Sequence, residues 1–442
     1  MKPVYRGTAA LALVATLGGC GVFKKSEPKS ALLGQRVAVL ANENAIEVDP
    51  SLAGVPLALP APVVNDSWTQ PGGNANKSVG HLALGASLTP AWEARIAGGS
   101  NQVRLAASPV IAGGRLYVVD TAANVHAFDA NSGAKLWTVA FGTAESKKES
   151  RALFGGGVSV EGDTLYVTNG IGDVGALKAA DGATVWKKAL GTPLRGAPSV
   201  ALGTVYVVSQ DNQLFALNAT DGATQWTSAA AVQLAGVFGA ASPAVAQGTV
   251  VAGFSSGDLN AYRYENGRTL WQDALSRTSI NTSVGTLSDI DADPVIDQGR
   301  VFAVGAGGRM VALELVTGQR VWELNIAGIS TPTVAGDWVF VVTDDARLLC
   351  VSRGTGKVRW VSQLRKFRGE KASSGQVTWN GPVLAGGRLV LVSSEGDLAQ
   401  VSPEDGKVQS TTDLKSGTYL SPIVANNTLY LLLGDGRLLA YR

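Results

Sequence analysis

The stretch VHAFDANSGAKLW, residues 125–137, returns along this chain seven more times, once worn and once cut short. It reads VGALKAADGATVW at 174–186, LFALNATDGATQW at 214–226, LNAYRYENGRTLW at 259–271, MVALELVTGQRVW at 310–322 and LLCVSRGTGKVRW at 348–360. LAQVSPEDGKVQS at 398–410 is a worn copy with Ser410 in the Trp place, and RLLAYR at 437–442 is cut off where the sequence stops. A small residue stands ten positions before the Trp, and Gly stands four before it. The small positions Ala127, Ala176, Ala216, Ala261, Ala312, Cys350, Gln400 and Ala440 lie 38 to 51 residues apart. A period near 40–50 residues is the signature of repeated β-blades.

Upstream of each copy lies a stretch such as SPVIAGGRLYVVD (108–120) or SPAVAQGTVVAGF (242–254), two Val-rich runs around a Gly turn. These runs read as strands one and two, and the quoted hairpin as strands three and four. Gly suits the turn between three and four because such turns often need positive φ. The last copy supplies three strands and no fourth. LTPAWEARIAG around Trp92 has a fourth strand and no preceding three. The expected fold is therefore all-β: an eight-bladed β-propeller of four-stranded antiparallel blades, closed by pairing the strand near Trp92 with the C-terminal strands. Closure removes edges that would otherwise recruit other chains. One Trp per blade at a fixed offset is expected to pack between neighbouring blades, the alternative being a ring of ligand-stacking aromatics. The small residue is expected where a larger one would overpack, and Cys350 in that place reads as a small buried thiol.

The chain has 442 residues, 54 of them Gly, with 45% hydrophobic and 16% charged residues. Residues 1–19 have the form of an export signal: Lys2 and Arg6, then the apolar run Leu11 to Leu17, too short to span a bilayer. The run ends in Leu17-Gly18-Gly19-Cys20, which resembles the lipobox of bacterial lipoproteins and implies lipidation of Cys20. Gly21 lacks the Asp that resembles an inner-membrane retention signal, so the expected location is the cell outer membrane, on its periplasmic face. Loss of residues 1–19 would bring the formal charge of +2 to zero. With no basic block, nucleic acid is not an expected partner. Cys350 would be left without a partner, so no disulfide is expected to hold the fold. Residues 20–80 lack the blade pattern and read as a lipidated cysteine and extended tether, leaving 81–442 for the propeller. A coil of that length reaches roughly 40–45 Å.

A search for chemistry finds no enzyme constellation. His81 and His126 stand apart, there is no G-x-S-x-G, and two cysteines cannot hold zinc. SDIDADP (288–294) carries Asp289, Asp291 and Asp293, but Pro294 and Arg300 occupy the places where a calcium loop needs Gly and Glu. No catalytic residue, metal site or cofactor is therefore expected. The longest interblade loops, at 141–157, 227–241, 272–293 and 361–381, share the face of the strand two-to-three connections. Long loops on a rigid frame are where recognition concentrates.

The A-x-D-x-x-x-G-x-x-x-W repeat resembles the quinoprotein-type propeller. Two families carry it: pyrroloquinoline-quinone-dependent alcohol dehydrogenases and the outer-membrane protein assembly factor BamB family. The dehydrogenase reading requires a vicinal Cys pair that this chain lacks. The lipobox, the length and the W-x-Q-x-G-G stretch at 68–73 are similar to the BamB type. That resemblance implies a non-enzymatic scaffold of the Bam complex that binds the POTRA domains of the insertase BamA. It further implies a part in folding outer-membrane proteins, whose unfolded strands the loop face could receive. By the same resemblance the contact loops are Thr192-Pro193-Leu194-Arg195-Gly196, with Thr192 where the family has Leu, and Ser288-Asp289-Ile290-Asp291. Leu194, Arg195, Asp289 and Asp291 are the implied partner-binding residues, with Leu194 the apolar anchor and Arg195 a carboxylate fork.

Overall fold

The computed structural model describes residues 46–100, 102–142, 153–194, 196–232, 241–276, 288–369 and 374–442. The described residues form eight four-stranded antiparallel sheets. In seven of them the strands follow one another in chain order. The eighth is closed by the chain ends: strand Pro90–Arg95 pairs with Arg437–Tyr441, which pairs with Thr428–Leu432 and then Ile423–Ala425. Trp92 lies directly across from Ala440. We number the blades in chain order from residue 110, so that the closing blade is blade 8.

The repeat owes its residue types to one row across each sheet. Tyr117 on strand two pairs with Ala127, and Ala127 pairs with Trp137. The row recurs as Tyr206, Ala216 and Trp226, and as Phe302, Ala312 and Trp322. Because the middle residue is Ala, the two rings meet over it with centroids 5.8 to 6.4 Å apart in six blades. Such tilted aromatic pairs are worth about 0.5–1.5 kcal/mol beyond their burial. A larger side chain at the Ala position would wedge the rings apart. The crowding comes from two aromatic neighbours, and Cys350 fits because a thiol is hardly bigger than a methyl group.

Each Trp then clasps the next blade. The Trp137 ring lies where a Cβ on Gly182 would come within 3.0 Å, and its Nε1–H donates to Ala179 O at 3.3 Å. The same clasp joins Trp186 to Gly222 and Ala219, Trp226 to Gly267 and Tyr264, and Trp271 to Gly318 and Leu315. Trp92 clasps Gly133 and Ala130 across the closing seam. These turn glycines have φ between 69 and 75°, so an L side chain would be strained there even without the ring above it. Trp therefore packs between blades, as the offset predicts. Only the interface after Ser410 lacks a clasp, and the geometry explains why. Blade 8 has no turn between strands three and four, because the chain ends fall there. An indole at position 410 would have no turn glycine or carbonyl to meet. Gln400 and Ser410 replace the Ala–Trp pair with a hydrogen bond, Gln400 Nε2 to Ser410 Oγ at 2.9 Å.

The stretch from Ile46 onward is packed on the propeller, and residues 44–442 make one compact unit. The expected tether over 20–80 thus has its described part, from residue 46, on the ring. Its remainder, with Cys20 and the signal over 1–19, lies outside the described residues. Residues 60–85 thread the channel mouth on the side of the strand one-to-two turns. The innermost strand of each blade turns an unpaired edge to this channel, and buried backbone groups need partners. Trp68 exchanges two backbone bonds with Ile111 at 2.8 Å each, and Val160 N donates to Thr69 O at 2.9 Å. The Gln70 amide takes both backbone groups of Val200, at 2.7 and 2.9 Å. Ala75 accepts from Val245, Asn76 from Ile296, and Asn65 bonds Val424 and Asn426. Leu82 donates to Leu384 O at 3.0 Å. Leu57 and Leu59 pack against the core of blade 6 beside Ala335 and Trp338. The plug and the leucines just before it thereby engage all eight blades.

Replacing Trp271 by Ala should cost about 3–5 kcal/mol in equilibrium denaturation. Ser410→Ala should stay within about 0.5 kcal/mol. Equal losses at the two positions would show that the indole clasps do not hold the blades together.

Candidate functional site: the loop face and the central cavity

Chain direction puts the strand four-to-one and two-to-three connections on the face opposite the plug. The central portions of the long loops at 141–157, 227–241, 272–293 and 361–381 lie outside the described residues, as does Arg195. The described parts show how the two implied contact loops are held, and they lie on one face two blades apart.

In the loop between blades 2 and 3, Leu194 is only 3% exposed and forms a bridge with Ser209. It packs with Tyr166, Val174, Val200, Val207 and Leu217. Its side chain clamps the loop to the blade and does not stand out as a surface anchor. Thr192 Oγ1 donates to Asp211 Oδ1 at 3.0 Å, and Ser209 Oγ donates to the same oxygen. Burial alone would raise the Asp211 carboxyl, but these hydroxyls and the Gln213 amide hold it below its usual range. Thr192 thus ties the loop to the neighbouring two-to-three connection.

In the loop between blades 4 and 5, Asp289 is fully buried and Asp291 half-buried. Ala306 N donates to Asp289 O at 2.8 Å, and Ser288 Oγ donates to Ser255 O at 3.0 Å. Ile290, between the two acids, is 1% exposed and fills the space left by Gly253, where a Cβ would come within 2.5 Å of it. Leu194 and Ile290 play the same part in their two loops. Of the four implied contact residues, Asp291 alone is described as partly exposed, and its Oδ2 is buried.

The two histidines are structural in their contacts. His81 Nε2 accepts from Gly387 N at 2.9 Å, which leaves Nδ1 to donate to Pro60 O at 2.7 Å. His126 is buried between Asp120 (2.8 Å) and Thr138 (2.9 Å). Burial pushes the Cys350 thiol well up, as suits an inert core residue. Among the described residues no three of His, Cys, Asp and Glu converge as metal ligands would.

Between the plug and the loop face lies a cavity of about 350 Å³. Trp68, Gly72, Lys77 and Val79 floor it, Asp291 and Asp293 line one wall, and Arg104, stacked 4.4 Å from the Tyr419 ring, also lines it. Lys77 is buried and donates to Ser199 Oγ at 3.0 Å. Burial lowers its pKa to about 8, against the opposing pull of Asp293. Burial likewise raises Asp293, which Lys77 and the Ser242 N–H (2.6 Å) stabilise as the anion. Sequence reasoning missed this pair, because 65–81 carries no strand pattern. Its available signals were the paired glycines after Gln70 and the run of Asn, Gln and Ser that can satisfy strand edges.

The geometry is that of an eight-bladed quinoprotein-type propeller with a plugged channel and a loop-rich face. A family model described as outer membrane protein assembly factor BamB matches residues 121–362 and 365–442. BamB of Salmonella typhimurium LT2 is 30% identical over 354 residues, covering 80% of this chain and 88% of that protein. BamB of Escherichia coli K12 is 31% identical over 352 residues, covering 79% and 87%. The chain belongs to the BamB family. Among solved structures, BamB from Moraxella catarrhalis superposes with a TM-score of 0.66 at 20% identity, over 80% of this chain and 100% of that one. The quinohemoprotein alcohol dehydrogenase of Comamonas testosteroni gives 0.65 at 14%, over 85% and 80%. The two superpositions show the shared fold. The family match begins after the plug.

A lysine with its folded pKa near 8 binds fewer protons than the unfolded chain between there and its ordinary 10.5. Stability should therefore rise as pH goes from about 8 to 10, where the raised tyrosines begin to oppose it. Lys77→Met should abolish that rise in denaturation midpoints. A rise that persists in the variant would assign it to another group.

Proposed function

We propose that this chain is a non-enzymatic scaffold in outer-membrane protein assembly that docks the POTRA domains of BamA through its loop face. Its membership of the BamB family carries the role in assembly. For the docking face, the support is the pair of loops on one face, two blades apart, each pinned by its own buried side chain, Leu194 in one and Ile290 in the other. Arg195 and Asp291 are the charged groups we assign to the partner, with Leu194 and Asp289 setting the loop conformations that present them. Loops fixed by buried anchors lose little freedom on binding, which favours affinity. We further propose that Cys20 carries the lipid and residues 21–45 the reach to the periplasmic face of the outer membrane. The plugged channel and the absence of a vicinal Cys pair in the sequence favour the scaffold over a quinone-dependent dehydrogenase.

Affinity purification from detergent-solubilised outer membranes should recover the insertase with the wild-type chain. Recovery should fall about tenfold with Arg195→Glu or Asp291→Lys, a loss typical of charge contacts at an interface. Undiminished recovery with both variants would remove these loops from the interface. Addition of quinone and calcium should yield no dye-linked alcohol oxidation, and turnover would reinstate the enzyme.

A further inference from the structure

Eight outer strands ring the propeller, and one of them already bridges an upstream stretch of the chain. Val48 forms a parallel bridge with Val358 on the outer edge of blade 6. Asp49 N donates to Val358 O at 2.8 Å, and the Asp49 carboxylate pairs with Lys357 Nζ at 2.8 Å. Arg359 bonds the carbonyls of Leu52 (3.1 Å) and Val55. The blade 6 edge thus takes Val48 and Asp49 through one outward carbonyl and one lysine, while Arg359 holds the 3-10 turn Pro50–Leu52 and the residues that follow it.

Blade 7 repeats the lysine and the outward valine, with Gln409 in the place of Arg359 and nothing seated on it among the described residues. Val408 pairs with Val401 just after the strand-three bulge, as Val358 pairs with Val351. Ser402 N donates to Lys407 O at 2.9 Å, as Ser352 N donates to Lys357 O at 2.8 Å. Lys407 and Val408 therefore stand in the register of Lys357 and Val358. Strand Val408–Asp413 is exposed at all six positions, unlike any other outer strand. The cause is Ser410: without the indole, the strand has no clasp to the next blade and is held by its ladder to Asp397–Val401 alone. Its sequence VQSTTD has the β-branched residues of a strand, and the ion pairs Lys407–Asp405 and Lys415–Asp413 flank it.

We propose that strand Val408–Asp413 is a docking edge for an extended segment of a partner protein. The segment joins by parallel strand addition, with an acidic residue opposite Lys407 and an apolar residue just before it. Strand addition of this kind draws affinity from main-chain bonds and specificity from a few side chains. A second copy of this chain is the less suitable donor, because its own Val48-Asp49 pair is engaged on blade 6. The edge stands apart from the loop face and does not depend on the docking assigned there.

A labelled peptide of residues 46–55, IEVDPSLAGV, titrated against the full-length protein tests the edge by fluorescence polarisation. Saturable binding is expected, weakened roughly tenfold by Lys407→Glu at low salt. Val408→Pro should weaken it similarly, since proline removes a strand donor. Thermal melts of both variants should match the wild type, which separates lost docking from lost fold. A peptide carrying Lys in place of Asp49 should bind about as poorly as the Lys407→Glu variant does. No saturable binding would overturn the proposal. So would binding abolished by Lys357→Glu and untouched by Lys407→Glu, which would mean exchange with the chain's own segment on blade 6.

Discussion

An indole laid flat on a glycine of the next blade is the contact on which this molecule rests. It is directional, because the ring must find both a turn without a side chain and a carbonyl for its N–H. It is also local, since each blade needs only its neighbour. Repetition then makes a ring, and the last indole, Trp92, is supplied by the opposite end of the chain. The same demand accounts for the Ala across the ladder and for the aromatic on strand two, which share the row with Trp. Where the turn is missing, in the closing blade, the indole is missing too, and a polar Gln–Ser pair takes its place. The ring therefore has one interface of different character from the other seven.

The plug answers a second demand, that of backbone groups facing an enclosed channel. Its Gln70 imitates a strand with a side-chain amide, and its Asn65 and Asn76 do the same more loosely. Because it bonds the inner strands of blades on both sides of the Ser410 interface, it also ties together what no indole clasps there. Lys77 sits at the cost of desolvation, offset in part by Asp293 and Ser199. The loop face is thus built over a floor that is fixed, and Leu194 and Ile290 pin the two loops we propose for docking into that frame.

What could be read from the residues follows this division. The blade count and the pairing of Trp92 with the C-terminal strands were legible because steric fit restricts each position of the row to a few residue types. Chain direction placed the two contact loops on one face. It could not say which way a side chain turns, so Leu194 reads from the sequence as an outward anchor while the structure buries it, and Asp289 with it. The plug was illegible because main-chain bonds make few demands on residue type. Residues 65–82 satisfy seven different strand edges without any periodicity. Trp68 and the glycines after Gln70 were visible only as a likeness to relatives.

The plug also imposes an order on folding. Residues 60–85 are synthesised ahead of every blade strand, yet their partners lie as far along the chain as Val424, 359 residues beyond Asn65. Neighbouring blades can nucleate on short-range contacts, but the central thread has nothing to bind until late blades exist. This early segment thus settles last, and its seating marks a completed circle. A chain stalled before that moment would show water an open bore and seven unsatisfied inner rims, the kind of surface that chaperones detect.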